Sequence, residues 1–284
     1  MKVWINNKVI DSKSAKVSVF DRGFLYGDGV FESARSYGGI VFGLDAHLAR
    51  LKNSLRIVRI KPTYSDKELK KAIYSLLETN HLGDAYIRVN ITRGEGRFAI
   101  GQFEEKFTPK VIIFAKPFVP YPKRIYEKGI SAKVAAVRVN EHSPVSRIKS
   151  LGFLNNILAR LEARKAGCDE AILMNTKGHI AEAATSNIFI SRGSMLMTPS
   201  PASGILPGVT RKVVMGLAKA AGLKPEEGSI SYSELTGSEE VFLTNSLFEV
   251  LPVVKIDGRK IGSGRVGGKT ALLAALYKKL TKAA

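Results

Sequence analysis

The stretch "SRIKSLGFLNNILARLEARKAG" (residues 146–167) sets a lysine, Lys149, where a short polar segment meets an amphipathic helix. Lysine and arginine together account for 44 of the 284 residues, so on local grounds Lys149 is one more solvated charge. A chain of this length exceeds the usual size of one domain, which favours a fold with two domains. Whether Lys149 takes part in chemistry therefore depends on the residues that the rest of the chain supplies.

The composition is that of an ordinary globular protein, with 45% hydrophobic and 24% charged residues. No apolar run approaches the roughly 20 residues that span a bilayer, so no contact with a membrane is predicted. The first residues, "MKVWINNKVI", alternate like a strand and lack the apolar core of a signal peptide. With one cysteine, Cys168, a disulfide within the chain is impossible, and we expect a cytoplasmic protein.

The net charge of +19 is spread along the chain rather than gathered in one arm or stripe. Residues 1–120 carry 20 basic and 12 acidic groups, and the remainder carries 24 and 13. The sequence contains no zinc finger, helix-turn-helix signature or aromatic-basic RNA motif. We therefore predict a basic surface that favours anionic substrates, and no nucleic-acid partner. A basic binding protein without catalytic activity is the alternative from another functional class.

The first part of the chain mixes strands with helices. The segment "GVFESARSYGGIVFG" predicts a β-hairpin that turns at Gly38 and Gly39. The segment "SDKELKKAIYSLLETN" predicts a helix with Ser65 as its N-cap. Another helix is predicted by a stripe of apolar residues at helical spacing: Leu44, Leu48, Leu51, Leu55 and Val58.

Three prolines, at positions 117, 120 and 122, mark the best candidate for a linker between domains. Beyond it, strands such as "EAILMN" and "SNIFI" again mix with helices. The predicted fold class is α+β, with a small N-terminal domain at 1–116, a linker at 117–126 and a larger domain at 127–284. A cleft between two domains is the usual place for a ligand.

Common catalytic and metal-binding motifs are missing from the sequence. It contains no GxGxxG, no Walker loop, no HExxH and no paired Cys and His ligands, so no metal site is predicted. In "GILPGVTR", however, Pro207 and Gly208 open a helix and leave the amides of Val209 and Thr210 at its positive end. Such a helix N-terminus binds phosphate readily. Arg50, on the polar side of its leucine-striped helix, could pair bidentately with an oxyanion.

Five segments in this order resemble the class IV (fold-type IV) pyridoxal-phosphate enzymes: "HLARL", "IKSLGFLNNILAR", "DEAILMNTKGHIAEAATSNIFI", "GILPGVTR" and "VFLTNSLFEVLPV". That family includes branched-chain aminotransferases, D-amino-acid aminotransferases and aminodeoxychorismate lyases. The similarity covers nearly the whole chain, from "FDRGFLYGDGVFE" to "IDGRKIGSGRVGGKT". It implies a small N-terminal and a larger C-terminal α/β domain, pyridoxal 5'-phosphate at their interface, and a homodimer.

The resemblance also assigns roles to residues. Lys149 corresponds to the lysine that binds the cofactor covalently and moves the α-proton of the substrate. Glu182 corresponds to the carboxylate that pairs with the pyridine nitrogen and keeps the ring protonated. The other residues that the resemblance places around the cofactor and its phosphate are Arg50, Val209, Thr210, Asn245 and Ser246.

The signals for the substrate conflict. "AYIR", with Tyr86 and Arg88, is similar to the branched-chain aminotransferases, in which this strand lines the substrate pocket. "TRGEGR", which contains Arg97, is shared with the D-amino-acid enzymes, and "TNSL" is similar to the lyases. Alternation along "VFESAR" predicts that Phe31, Ser33 and Arg35 share one face of a strand. The candidate substrate-binding residues are Phe31, Arg35, Tyr86, Arg88, Arg97 and Leu247, with the three arginines as alternative anchors for a carboxylate.

One departure from the family pattern concerns the segment after the lysine. Many branched-chain enzymes have a tyrosine there, whereas this chain has Phe153 and Leu154. The prediction is an aminotransferase that moves an amino group between a hydrophobic or branched-chain amino acid and a 2-oxo acid such as 2-oxoglutarate, by a ping-pong mechanism. The alternatives are first D-amino-acid transamination and then aminodeoxychorismate lyase activity.

Overall fold

The computed structural model describes residues 1–96 and 107–283, which form two compact units. The first unit contains Met1–Val119 and Ile148–Gly152, and the second contains Pro120–Arg147 and Phe153–Ala283. Helices and strands occur together in both units, so the predicted α+β fold with two domains is confirmed.

The first unit is built on an antiparallel sheet. Its strands and helices are β1 (Lys2–Ile5), β2 (Lys8–Asp11), α1 (Arg22–Tyr26), β3 (Gly29–Tyr37), β4 (Ile40–Val41), α2 (Leu44–Ile57), α3 (Asp66–Thr79), β5 (Ala85–Thr92) and β6 (Lys110–Pro117). In the described part of this unit, six strands pair in the order β2-β1-β6-β5-β3-β4. Strand β3 is the longest of them, and it pairs with β5 from Gly29 to Ser36.

The two long helices of the first unit form where the sequence predicted them. Helix α2 buries its stripe of leucines, and α3 begins at a capping box in which Ser65 and Glu68 bond each other's backbone amides. The hairpin turn at Gly38 and Gly39 is also confirmed, since Tyr37 pairs with Ile40. Both glycines have positive φ, at 57° and 93°, which this tight turn requires.

The core of the first unit lies on one face of the sheet. Along β3 and β5, alternate residues are buried, among them Val30, Ala34, Ile87 and Val89, and they belong to one cluster with the leucines of α2 and α3. The intervening residues of both strands therefore face the other way. This alternation fixes which side chains of β3 and β5 can gather around a ligand.

The second unit is larger. Its elements are α4 (Lys123–Glu127), β7 (Ile130–Val139), α5 (Leu154–Lys165), β8 (Glu170–Asn175), β9 (Ile180–Ala183), β10 (Asn187–Arg192), β11 (Met195–Pro199), α6 (Val209–Ala220), β12 (Lys224–Gly228), α7 (Tyr232–Thr236), β13 (Glu240–Asn245), β14 (Glu249–Ile256), β15 (Arg259–Lys260) and α8 (Gly268–Lys282). In the described residues its sheet follows the order β12-β11-β10-β13-β14-β7-β8-β9, and β15 pairs with β14. The strands β7, β8 and β14 run parallel to one another.

The division of the chain differs from the predicted boundaries in one respect. The first stretch of the first unit, Met1–Val119, ends inside the segment 117–126 that we predicted as a linker. However, Ile148–Gly152, which lies within the predicted domain 127–284, packs in the first unit. The physical reason is backbone pairing, because this segment lies along the edge of β3 and bonds to its first residues.

Candidate active site

Lys149 is held at the edge of the first sheet by hydrogen bonds of its backbone. Its carbonyl accepts from the amide of Phe31 at 2.8 Å, and the amide of Leu151 donates to the carbonyl of Gly29 at 3.0 Å. Between these bonds, Ser150 pairs with Val30. Lys149 therefore lies opposite Phe31 and on the same face of the sheet. The predicted catalytic lysine has a fixed, half-buried position.

Lys149 and Arg88 both contact the Phe31 ring. The Lys149 Nζ lies 4.5 Å from the centroid of this ring, and the Arg88 Cζ lies 3.7 Å from it. The Arg88 Nε also donates to the Asn90 Oδ1 at 2.9 Å, which orients the guanidinium. An amine and a guanidinium thus contact one buried aromatic side chain.

Tyr86 and Arg35 lie on the same face of the sheet as Phe31. Arg35 pairs with Tyr86 across the two strands, and the Tyr86 hydroxyl lies 3.2 Å from the Ser33 Oγ. The predicted common face of Phe31, Ser33 and Arg35 is confirmed by this register and by the alternating burial. All these side chains belong to one polar and aromatic face.

Arg35 nevertheless contacts different aromatic rings from the one that Arg88 contacts. Its Cζ lies 3.7 Å from the Phe118 ring centroid and 4.3 Å from that of Tyr37. Because Arg35 follows Phe31 by four residues, their Cα atoms are about 13 Å apart along the strand. The third candidate arginine, Arg97, lies outside the described residues.

Arg50, which we placed on the polar side of α2, pairs there with a carboxylate of the first sheet. Its side chain is 10% exposed and forms a bidentate ion pair with the buried Glu32. Nε donates to Oε1 at 2.7 Å, and Nη2 donates to Oε2 at 2.8 Å. His47, one turn earlier, bonds the same Oε2 through its Nδ1 at 2.8 Å. Arg50 and His47 meet Glu32 because adjacent residues of a strand face opposite sides of the sheet. Glu32 therefore points away from the face of Phe31, toward the core face on which α2 packs.

The charge state of Glu32 follows from these partners. Burial alone would raise the pKa of this carboxyl, but the positive Arg50 and the hydrogen bonds from Arg50 and His47 outweigh it. Together they hold the pKa of Glu32 at about 2, below its ordinary 4.5. Glu32 is therefore ionised at neutral pH.

Glu182 lies on β9 in the second unit, where two donors hold one of its oxygens. Its Oε2 accepts from the Leu206 amide at 3.1 Å and from the Asn187 Nδ2 at 3.1 Å. The Asn187 Nδ2 also donates to the carbonyl of Leu206 at 2.8 Å. Asn187 thereby connects Glu182 to the loop that leads into α6. The carboxylate is therefore oriented by two donors, the Leu206 amide and the Asn187 side chain.

The N-terminus of α6 lies next to this cluster. Gly208 is its N-cap, and it provides no side-chain cap for the first amides. A Cβ at position 208 would meet the Asn187 Oδ1 at 1.9 Å, so only glycine fits there. Val209 is half-buried, and Thr210 is buried with its hydroxyl 3.4 Å from that of Tyr277. The structure thus places Val209 and Thr210 near Glu182 through Asn187.

Asn245, Ser246 and Leu247 form the turn between β13 and β14. The Asn245 Oδ1 accepts from the amides of Leu247 and Phe248, both at 2.9 Å, and its Nδ2 donates to the Thr185 carbonyl at 3.3 Å. Ser246 and Leu247 are half-buried at the tip of this turn. Asn245 thus holds the shape of the turn and ties it to the loop that follows β9.

Three residues of these clusters were missed by the sequence analysis: Glu32, His47 and Asn187. Glu32 could have been found, because the alternation of "VFESAR" puts a carboxylate among core positions. His47 precedes Arg50 by three residues and so lies on the same side of the helix. Asn187 gave no comparable signal, since an asparagine at the start of a strand is unremarkable until its partners are known.

The described residues offer neither a metal centre nor a membrane-spanning helix. In 1–96 and 107–283, no group of three or more His, Cys, Asp or Glu side chains is placed to hold a metal ion. Of the helices in these ranges, none combines the length and apolar character that a bilayer crossing requires. The two units instead present an amine, oriented carboxylates, arginines and a helix N-terminus.

A comparison with known families decides what the chain is. The family described as amino-transferase class IV matches residues 29–256, which include Arg50, Lys149, Glu182 and the start of α6. The chain belongs to the class IV aminotransferase family. It is therefore an enzyme of the transaminase type, as we predicted from the ordered motifs.

Three class IV proteins illustrate the range of the similarity. The chain is 40% identical over 281 residues to a Methanocaldococcus jannaschii protein provisionally named a branched-chain-amino-acid aminotransferase, covering 98% of this chain and 96% of that one. It is 34% identical to D-alanine aminotransferase of Bacillus licheniformis, over 95% and 93% of the two chains. The crystal structure of Escherichia coli branched-chain amino acid aminotransferase matches with a TM-score of 0.95 at 31% identity, covering 99% and 95%.

Proposed function

We propose that this class IV enzyme uses pyridoxal 5'-phosphate to transfer an amino group between a hydrophobic or branched-chain amino acid and a 2-oxo acid such as 2-oxoglutarate. The observation that carries the proposal is the placement of Lys149, which backbone pairing fixes opposite the buried Phe31 ring. A solvated surface lysine would have no such support. The transfer would proceed in two half-reactions by a ping-pong mechanism.

The residues present fit this cofactor by their chemistry. The first unit supplies a primary amine, Lys149, for the aldehyde, and a guanidinium, Arg50, for the phosphate. The second unit supplies an oriented carboxylate, Glu182, for the pyridine nitrogen, and the first amides of α6 for the phosphate. The cofactor, when bound, supplies an electron sink for the bond that is broken at the substrate α-carbon.

The chain's own groups then have separate tasks. The Lys149 Nζ would take the proton from the α-carbon of the donor amino acid in the first half-reaction, and would give a proton to the α-carbon of the acceptor in the second. Glu182 would pair with the ring nitrogen, and Asn187 and the Leu206 amide orient its carboxylate for that contact. The α6 amides of Val209 and Thr210 would hold the phosphate, with Ser246 as a further hydroxyl donor.

Arg88 is the best candidate for the anchor of a substrate carboxylate. It contacts the same Phe31 ring as Lys149, whereas Arg35 contacts Phe118 and Tyr37 further along the sheet. A carboxylate bound to Arg88 would lie against the Phe31 ring, which Lys149 also contacts. The Phe31 ring itself offers apolar surface to a hydrophobic substrate side chain.

Branched-chain relatives support this substrate class, and one relative supports a second candidate. The M. jannaschii and E. coli proteins carry branched-chain names, whereas the B. licheniformis protein acts on D-alanine. Phe153 and Leu154 stand where many branched-chain enzymes have a tyrosine, and this departure weakens the branched-chain assignment. D-amino-acid transamination is therefore the second candidate, ahead of aminodeoxychorismate lyase activity. A homodimer and a cytoplasmic location belong to the same proposal, from the resemblance and the single cysteine.

The first test is the covalent attachment of the cofactor. Purified protein should be yellow, and borohydride should fix pyridoxal 5'-phosphate to one peptide that contains Lys149. The variant K149A should lose this labelling. The matched control is K116A, because Lys116 also lies over an aromatic ring, that of Tyr86, on the sheet of the same unit. Labelling that survives in K149A and disappears in K116A would refute the assignment of the lysine.

The second test identifies the substrate. Half-reactions with L-leucine, L-valine, D-alanine, D-glutamate and aminodeoxychorismate would each be followed by loss of the yellow colour. We expect L-leucine and L-valine to bleach the enzyme and 2-oxoglutarate to restore the colour. Bleaching by the D-amino acids alone would replace our first substrate class with the second.

A further inference from the structure

Glu32 occupies a place where a charge is costly. It lies on the core face of β3 between Val30 and Ala34, and its side chain is only 3% exposed. A buried ion pair seldom stabilises a fold more than well-packed apolar residues of similar volume would. Stability alone is therefore a weak reason for a glutamate at this position, and a role in orienting a functional group is the stronger one.

The hydrogen bonds of Glu32 fix the plane of a guanidinium. Arg50 approaches the carboxylate sideways, through Nε at 2.7 Å and Nη2 at 2.8 Å. His47, which is 2% exposed, bonds the Oε2 at 2.8 Å. Because Glu32 is ionised, the Nδ1 of His47 donates this bond. The carboxylate is thus held from two sides and cannot turn away from Arg50.

This sideways pairing has a consequence for the other edge of Arg50. A planar guanidinium that uses Nε and Nη2 for one carboxylate turns its Nη1 edge away from that carboxylate. Arg50 is also the most exposed member of the cluster, at 10% against 3% for Glu32. A long arginine side chain would otherwise lose rotamer freedom when it binds an anion, and here that freedom is already lost.

We propose that Glu32 is a positioning residue: supported by His47, it presents the Arg50 guanidinium in the orientation that binds the phosphate of the cofactor. This inference rests on the proposed function, in which Arg50 is a phosphate ligand. It predicts that Glu32 matters for a cofactor with a phosphate and not for the same ring without one.

The test compares the dissociation constants of pyridoxal 5'-phosphate and pyridoxal, measured by equilibrium dialysis with the apoprotein. In E32Q we expect pyridoxal 5'-phosphate to bind about tenfold more weakly or worse, since a charge-assisted contact is lost, while pyridoxal changes by less than about twofold. The control is E170Q, which alters another buried carboxylate paired with an arginine, Arg160, in the second unit. It should leave the preference for the phosphorylated form intact.

Two further variants keep the result decisive. If E32Q does not fold, E32D serves instead, because a shorter carboxylate cannot reach both Nε and Nη2 and should reduce the preference in the same direction. R50Q measures how much of the preference for pyridoxal 5'-phosphate over pyridoxal depends on Arg50 itself. In the R50Q background, E32Q should cause no further loss of preference, because its effect acts through Arg50.

The outcomes separate the inference from the function on which it rests. Equal weakening of both cofactor forms in E32Q, or no weakening of either, would overturn the positioning role if R50Q still loses the preference. A preference that persists in R50Q would overturn the phosphate role of Arg50 and the inference with it. Wild-type protein that binds neither form would refute the proposed function.

Discussion

The Asn187 side-chain amide donates a hydrogen bond to the Glu182 Oε2 over 3.1 Å, and the same Nδ2 donates to the Leu206 carbonyl over 2.8 Å. One side chain at the start of β10 therefore orients a carboxylate on β9 and fixes the loop before α6. Asn187 is itself 4% exposed, so it cannot exchange these partners for water without local opening. Changes that displace Asn187 should disturb the carboxylate and the helix N-terminus together.

The substitution G208A should displace the Asn187 side chain. A Cβ at this position would lie 1.9 Å from the Asn187 Oδ1 and 3.1 Å from the Arg211 Cβ. We expect the free energy of unfolding to fall by about 1–3 kcal/mol, as for other overpacked sites. Cofactor affinity should fall as well, because both Glu182 and the α6 amides shift. Urea unfolding and equilibrium dialysis with pyridoxal 5'-phosphate measure the two effects.

G216A is the matched control in the same helix. A Cβ at position 216 meets no described atom within 4 Å, so the added methyl group has space. Because alanine favours a helix interior over glycine by about 0.5–1 kcal/mol, this variant should be slightly more stable than wild type. Its cofactor affinity should be unchanged. Equal losses in G208A and G216A would contradict the role given to the contact with Asn187.

Two arginines on one face of the first sheet should differ in their effect on substrate binding. Arg88 shares the Phe31 ring with Lys149, and Arg35 does not. We expect R88Q to raise KM for the amino acid and the 2-oxo acid about tenfold, since a charge-assisted hydrogen bond to a carboxylate is lost. R35Q should change KM far less. Steady-state kinetics with saturating cofactor measure this difference, and a larger effect in R35Q would reverse the assignment.

Periodicity predicted most of the elements that carry these residues. The leucine stripe of α2, the N-cap of α3 and the hairpin at Gly38 depend on local spacing and turn chemistry, which one sequence contains. The common face of Phe31 and Arg35 followed from the alternation of a strand. These features need no knowledge of distant partners, and so they were predicted correctly.

Arg50 and Asn187 needed knowledge that the sequence does not contain. The helical wheel of α2 put Arg50 outside the leucine stripe, but the wheel could not reveal that Glu32 draws it toward the buried side. Asn187 gained its role through Glu182 and through Leu206, and Leu206 lies 19 residues away along the chain. The position of Ile148–Gly152 in the first unit also depends on distant pairing, with the start of β3.

Acid should weaken the protein through Glu32. Its folded-state pKa of about 2 lies below the ordinary 4.5, so the unfolded chain takes up this proton first as the pH falls. The stabilisation is present above about pH 4.5 and is lost as the pH falls toward 2, and the shift corresponds to ~3 kcal/mol. The difference in unfolding free energy between wild type and E32Q should therefore shrink over this range. A difference that stays constant with pH would contradict the ion pair.

Glu170 should respond to acid with the opposite sign, although it too is a buried carboxylate bonded to an arginine, Arg160. Its burial outweighs the attraction of Arg160 and raises the pKa of this carboxyl above its ordinary 4.5. The folded protein therefore takes up this proton before the unfolded chain does, and the cost of burying the charge is present above the raised pKa. As the pH falls through that pKa toward 4.5, wild type should gain stability relative to E170Q. Urea unfolding of both proteins across this range measures the change. If acid instead lowered the stability of wild type relative to E170Q, as it should relative to E32Q, the arginine and not burial would set the pKa of the carboxyl at both sites.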